Sequence, residues 1–315
     1  MARVVFFGSP DFALPSLEIL LPTEYRPVLV VTQPDRPSGR GKKLTPTPIR
    51  KFAEENGIAV KVLKDFDEQH SIEELRSVQP DFFVVVAFGL IFPPPALQIV
   101  KQGNVNVHAS LLPAYRGASP VNMAIVSGDS FTGVTTMEMV KSLDTGPIYL
   151  QGIVPIDPME DAGELSKKLS KEGARLLLDT LKGIDSGRLK PVQQPDTGVS
   201  HAPRLSKKDG LIKWEMDAIS IHNQIRGMNP WPGSYTYYNG NYLKVLRSEP
   251  YDLIPRSDPP GLIVEITSTG IRVSCGKGTL QLKRLQAEGR RPLEFSEFVK
   301  GYPIEPGNVL EKESR

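Results

Sequence analysis

Apolar residues run along this chain in two rhythms. Over the first 180 or so residues, short unbroken apolar runs alternate with segments of helical period. Val4–Gly8, Pro27–Thr32 and Val60–Leu63 read as short strands, and Phe82–Ala87 is a continuous apolar run of the kind buried on both faces. Asn104–His108, Gly133–Met139 and Ile148–Ile156 supply further strands. Between them, Ser9–Leu20, Ile49–Asn56 and Ile72–Val78 have helical character, the second stopped by Gly57. Glu160–Lys182 is the clearest helix. Leu165, Leu169, Leu176, Leu177 and Leu181 recur at helical spacing, Asp161 and Glu164 form a capping pair, and Gly183 is expected to end it. Strands alternating with helices predict an α/β fold with a mainly parallel sheet and helices on both faces.

The second rhythm begins after a break. Ser186–Pro203 is rich in Gly, Pro, Gln and Ser, has no apolar period, and reads as an interdomain linker. Beyond Trp214 come short strands separated by turns: Gly233–Tyr238, Tyr242–Leu246, Gly261–Ile266, Gly270–Ser274 and Leu280–Leu285. Asn239-Gly240 between two of them is a hairpin signal. Several short strands within about 70 residues predict a small β-barrel. The expected organisation is a catalytic domain over 1–186, a linker over 187–205 and a barrel domain over 206–315. Residues 1–190 are expected to fold alone.

Composition narrows the class. The chain has 315 residues, enough for two domains, with 39% hydrophobic and 23% charged residues, which fits a globular protein. One cysteine, Cys275, excludes an intrachain disulfide and reads as an inert, half-buried thiol. The start has no signal-peptide layout, and no apolar stretch approaches the roughly 20 residues of a membrane span. A cytoplasmic protein with no membrane partner is expected. Net charge is +2, with an excess of three positive charges in 206–315. That asymmetry is weak, so any contact with RNA must come from local patches.

The candidate chemistry centres on Asn106-Val-His108 and on Asp144 in Ser-Leu-Asp-Thr-Gly146. Asn106 and His108 are two residues apart, so on a strand they project from one face. Ser110-Leu-Leu-Pro113 ends that strand, which places the pair where a sheet meets a loop. In open parallel sheets ligands bind there. Asn supplies a donor for an oxyanion, His donates or moves a proton, and a carboxylate fixes the imidazole tautomer. An acyl- or formyl-transfer site is one reading; a core histidine satisfied by backbone groups is the other. His70, His108, His201 and His222 show no metal-ligand spacing, so no metal is expected. Gly8-Ser-Pro-Asp-Phe12 follows the first strand with only one glycine of a dinucleotide fingerprint, which argues against a nicotinamide dehydrogenase. Gln33–Leu44 is a basic loop carrying Arg36, Arg40, Lys42 and Lys43, with Gly39 and Gly41 at its tip. It follows the second strand and so lies on the same sheet edge as His108, where a clamp on a polyanion would sit.

Asn106-Val-His-Ala-Ser-Leu-Leu-Pro-Ala-Tyr-Arg-Gly117, with Ser142-Leu-Asp-Thr-Gly146, resembles the signature of formyltransferases that use 10-formyltetrahydrofolate. Phe6-Phe-Gly-Ser-Pro-Asp-Phe12, the basic loop, His201-Ala-Pro-Arg-Leu-Ser206 and Asn229-Pro-Trp-Pro-Gly233 narrow the resemblance to the methionyl-tRNA formyltransferases. The resemblance covers nearly the whole chain. It implies a Rossmann-like domain followed by an OB-like barrel that binds tRNA. It implies Asn106, His108 and Asp144 as the catalytic residues. It also implies folate contacts from Phe88, Gly89, Leu90 and Ile91 and from Ser110, Leu111, Leu112 and Pro113. The loop with Arg36, Arg40, Lys42 and Lys43 is implied to meet the acceptor end of initiator methionyl-tRNA. Formylated initiation further implies a bacterial or organellar enzyme, the start without a presequence favours a bacterium, and a monomer is expected. Two positions depart from the family pattern: Phe88 stands where a Tyr is expected, and Pro147 follows Thr145-Gly146 where an Asp is expected. Two other readings compete. One is a folate formyltransferase acting on a sugar amine or glycinamide ribotide, and the other is a catalytically silent RNA-binding protein that keeps the fold.

Overall fold

The computed structural model describes residues 2–38, 43–66, 70–255 and 257–313. They form two compact units. The first comprises Met1–Pro120, Thr132–Pro155 and Ser166–Ala202, and the second comprises Val121–Phe131, Ile156–Leu165 and Pro203–Arg315.

A seven-stranded sheet organises the first unit, in the order Ile148–Pro155, Phe131–Glu138, Gly103–His108, Phe82–Val86, Val4–Gly8, Pro27–Thr32, Ala59–Val62. The last five of these run parallel. Phe131–Glu138 lies antiparallel to Gly103–His108. Val4–Gly8 and Phe82–Val86 are buried at every position, which explains why neither carries a polar phase. The Phe7 ring meets Phe83 and Phe92 edge-on, each at 4.9 Å between centroids, in a core that also holds Phe88. The chain winds from Val4–Gly8 out to Ala59–Val62, then returns to Phe82–Val86 on the other side of the first strand. Loops diverge at such a switch point and leave a crevice at the strands' carboxyl ends. Gly8, Val86 and His108 all stand at those ends.

Local signals start two of the helices. Pro48–Glu55 starts with Thr47 accepting from the Arg50 amide and with Pro48 in the first turn. Asp161 and Glu164 cap each other's backbone amides at 3.0 and 2.9 Å. The helix they begin, Ala162–Asp185, runs past Gly183. A Cβ on Gly183 would lie 2.7 Å from the Leu189 Cβ, so this glycine serves close packing and not termination. The turn comes at Gly187, with φ 67°. The segment expected as one helix from Ser9 is a single 3-10 turn, Asp11–Ala13, leading into Leu14–Leu20. The basic loop contains a short antiparallel hairpin, Arg36–Ser38 with Lys43–Thr45.

The second unit is built on an antiparallel sheet in the order Ser234–Tyr238, Asn241–Asp252, Thr279–Ala287, Ile271–Ser274, Ile263–Ile266, with Leu293–Glu294 added to Thr279–Ala287. The tail joins its two outer strands. Glu311 bridges Tyr237, Val309 bridges Leu262, and the Leu310 amide donates to the Gly261 carbonyl at 2.8 Å. A closed sheet exposes no long unpaired edge. Trp214, Ile221, Val245, Leu282 and Phe298 fill the interior, and the Trp214 indole donates to Thr236 Oγ1 at 3.0 Å. Burial pushes the Cys275 thiol up to about 12, so it stays protonated. The helix Ala218–Gly227 is absent from the sequence reading. Its buried face carries His222, Asn223, Gln224 and Arg226, so the apolar period that announces a helix is missing. Several of these polar groups find partners: Gln224 Nε2 donates to the Leu211 carbonyl at 2.9 Å, and Arg226 Nε donates to Asn223 Oδ1 at 3.0 Å.

Candidate active site

The strand Gly103–His108 carries Asn106 and His108 on one face, with Asn106 flanked across the sheet by Val85 and Met137. Asn106 is half-buried and His108 is buried. His108 Nε2 lies 3.0 Å from the Tyr115 carbonyl. A carbonyl only accepts, so Nε2 carries the proton. His108 Nδ1 faces Asp144 Oδ2 at 3.7 Å, beyond hydrogen-bond distance but within reach of an ion pair when the ring is protonated. The Asp144 carboxylate is held from the other side by the Gly117 amide, at 2.8 Å. The three residues the sequence singles out are therefore placed at one sheet edge, beside the switch point.

Two main-chain conformations mark the same place. Tyr115 has φ 60° and Asp144 has φ 52°, in the left-handed region that non-glycine residues adopt at a local energetic penalty. The Tyr115 backbone turns its carbonyl onto His108. Gly117, with φ 122°, brings its amide to Asp144, and a Cβ there would stand 2.5 Å from the Ala202 carbonyl oxygen.

The segments that the resemblance assigns to folate divide by orientation. The Phe88 ring packs edge-on against Phe7 at 5.4 Å, inside the core, while its carbonyl accepts from Gln33 Nε2 at 2.7 Å. A Tyr hydroxyl at this position would have to be accommodated in that core. Gly89 and Ile91 are exposed, and Leu90 is half-buried. Ser110 and Leu112 are turned inward: Ser110 Oγ donates to the Ala114 carbonyl at 2.6 Å, and the Leu112 amide donates to Thr135 Oγ1 at 3.1 Å. Leu111 and Pro113 are half-buried. Thr135 also donates to the Ser110 carbonyl at 2.7 Å, so a residue the sequence reading passed over holds this loop from the neighbouring strand.

The basic hairpin is tied to the same edge. Arg36 is exposed and donates to Gln33 Oε1, the residue whose amide also holds Phe88. Arg40 and Lys42 lie outside the described residues, and Lys43 opens the second strand of the hairpin.

Residues 187–202, which composition marks as a connector, are bound to the first unit. Val192 and Ile148 exchange two backbone hydrogen bonds, at 2.7 and 2.8 Å. Gln194 Nε2 donates to the carbonyls of Asp144 and Gly146, both at 2.8 Å, and Gln194 Oε1 accepts from Arg116 Nε and Nη2 at 3.1 and 2.6 Å. The Tyr115 amide donates to Ser200 Oγ at 2.8 Å, and His201–Ala202 pairs in parallel with Arg116–Gly117. Nothing in a Gln- and Pro-rich stretch distinguishes Gln194 from Gln193; only the fold separates them.

Residues 2–181 match the model of the formyl transferase family, and residues 204–303 match that of the formyl transferase C-terminal domain. The chain is 46% identical to a methionyl-tRNA formyltransferase of Trichlorobacter lovleyi over 98% of its length and 96% of that protein's. It is 41% identical to one from Clostridium novyi, over 98% and 99% of the two chains. Among solved structures, the fold is similar to an N-formyltransferase from Helicobacter canadensis in complex with folinic acid and dTDP-3-aminofucose. That likeness has a TM-score of 0.69 at 20% identity, over 91% of this chain and all of that one. The fold also resembles HypX from Aquifex aeolicus in complex with tetrahydrofolic acid, with a TM-score of 0.62 at 16% identity, over 98% of this chain and 50% of that one.

Proposed function

The chain belongs to the formyl transferase family, and from that premise we propose that it transfers the formyl group of 10-formyltetrahydrofolate to the free α-amine of initiator methionyl-tRNA. The observation that carries this reading is the 41–46% identity, across both units, to relatives named methionyl-tRNA formyltransferase. A sugar amine as acceptor is disfavoured, because the likeness to sugar N-formyltransferases is one of fold at 20–21% identity. Reaction on an aminoacyl-tRNA belongs to translation, and the cytoplasm is the proposed compartment. No helix among the described residues is long and apolar enough to cross a membrane.

In the proposed mechanism the amine nitrogen bonds to the formyl carbon, the bond from that carbon to N10 of the folate breaks, and one amine proton ends on N10. Asn106, half-buried at the strand end, donates to the oxygen of the tetrahedral intermediate. His108 keeps its Nε2 proton on Tyr115, so Nδ1, which faces Asp144, is the nitrogen left to take up a proton. Once Nδ1 is protonated, Asp144 at 3.7 Å stabilises the imidazolium. The loops 88–91 and 110–113 flank this edge and are proposed to receive the folate. The basic hairpin and the barrel are proposed to receive the tRNA. On the barrel, Tyr235 stacks on Tyr242 at 4.7 Å beside Tyr237, a platform suited to nucleic-acid contact.

The test is transfer of labelled formyl from 10-formyltetrahydrofolate to charged initiator tRNA, with a sugar amine and glycinamide ribotide as rival acceptors. Rapid formylation of the tRNA alone is expected. Preference for either small amine would overturn the reading.

A further inference from the structure

We propose that Gln194 is a positioning residue of the transfer site, its side-chain amide setting where Asp144 stands relative to His108. The proposal deepens the formyl-transfer reading and rests on it.

The amide is engaged at both ends. Its two N–H groups meet two carbonyls, Asp144 O and Gly146 O, each at 2.8 Å. Its oxygen meets two N–H groups of Arg116, at 3.1 and 2.6 Å. Exchanging the oxygen and nitrogen would set donors against Arg116 and an acceptor against two carbonyls, so the orientation follows from the partners. Gln194 is half-buried while Gln193 and Pro195 on either side are exposed, so the fold selects this one side chain from its segment.

What the amide joins is the pair of loops that hold the catalytic side chains. One is the Asp144 turn. Its leading residues Lys141, Ser142 and Leu143 are exposed, and Asp144 itself sits at φ 52°. A turn in that conformation needs surrounding contacts to persist. The other is the Tyr115–Gly117 loop. Its Tyr115 carbonyl holds His108, and its Gly117 amide holds the Asp144 carboxylate. Arg116 lies between those two residues and reaches Gln194. Four fixed hydrogen bonds thus close a bridge from one loop to the other, and the His108–Asp144 separation is set across it. Ser200 and Ala202 anchor the second loop further along the same segment. A small misplacement of reacting groups lowers rate without loss of binding, because binding draws on the whole site and the reaction on one geometry.

The experiment uses the full chain. Gln194→Glu keeps an acceptor for Arg116 but turns oxygen toward the Asp144 and Gly146 carbonyls. Gln193→Glu adds the same charge one residue away, at an exposed position. The expected result for Gln194→Glu is a fall in kcat of about 10²-fold. KM for tRNA and for folate should stay within about threefold of the parent. The ¹⁵N shifts of the His108 ring should move in Gln194→Glu and stay put in Gln193→Glu. If Gln194→Glu melts early, Gln194→Met, neutral and of similar length, carries the same two readouts. A folded Gln194 variant with parental kcat and parental His108 shifts overturns the proposal. A parent chain that formylates no methionyl-tRNA overturns the functional reading instead. The His108 shifts, which need no turnover, then decide the positioning role.

Discussion

A histidine whose Nε2 proton is committed to a main-chain carbonyl has one nitrogen with which to exchange protons. In His108 that nitrogen faces Asp144. Removing the ring in His108→Ala should lower the rate of formyl transfer by about 10²–10³-fold, the usual effect of losing a group that stabilises developing charge. The melting temperature, followed alongside, should show the variant folded. Near-parental activity in a folded variant would remove His108 from the mechanism. Asp144→Asn is subtler, because the amide can still accept from Gly117 but no longer balances an imidazolium. A loss of about 10²–10⁴-fold in the rate of formyl transfer is expected. A rate equal to the parent's would reduce Asp144 to a turn residue.

At the scale of elements, the basic hairpin and the buried helix make separate predictions. Arg40→Ala or Lys42→Ala should weaken tRNA use and leave folate binding intact. Each should reduce the salt dependence of tRNA binding by about one phosphate contact. Titrations across salt check this, and a loss of folate affinity would assign the loop to the cofactor instead. In Ala218–Gly227, burial holds the His222 imidazole below its ordinary 6.5, opposed by its hydrogen bond to Pro158 and reinforced by the charge of Arg226. The folded value is depressed, so the unfolded chain binds more protons as pH falls. The stability this group contributes is complete above 6.5 and is lost as pH drops through the folded value. Melting temperatures taken from about pH 7 to about pH 5 should fall in the parent and fall less in His222→Gln. Equal slopes would show that the acid sensitivity lies elsewhere.

For the whole molecule, the two units interlace along the chain. Val121–Phe131 and Ile156–Leu165 belong with the barrel, although a linear boundary near residue 186 assigns them to the catalytic domain. Asn122 Nδ2 donates to the Gly227 carbonyl at 2.7 Å, and the Gly163 amide donates to the Asn229 carbonyl at 3.3 Å. A chain cut after residue 202 would therefore expose two segments whose partners have been removed. A fragment ending at 190 would lose Gln194 and Ser200 as well. Calorimetry should show the fragment 1–202 melting below the full chain. A loss of about 3 kcal/mol would lower the transition by roughly 6–12 °C in a protein of this size. A fragment that melts like the parent would show that these segments contribute nothing to stability.

Several features were legible in the sequence because they depend on near neighbours along the chain. Continuous apolar runs such as Phe82–Val86 announce strands buried on both faces, and the Asp161–Glu164 cap sits within one turn. Asn106 and His108 share a face because strand geometry has a period of two. The register signal at Asn239-Gly240 is likewise local, and Ser234–Tyr238 and Asn241–Asp252 do pair across it. Other features depend on what packs against what. The helix Ala218–Gly227 buries polar residues whose partners come from distant segments, so no periodicity reveals it. Gly183 reads as a stop until Leu189 is seen against it. Gln194 lies 50 residues from Asp144, and its segment carries no apolar pattern to mark it as bound. Hydrophobic pattern and turn chemistry specify elements, because those energies are short-ranged along the chain. Which exposed-looking loop closes over which strand end is decided by hydrogen bonds between residues that only the folded chain brings together.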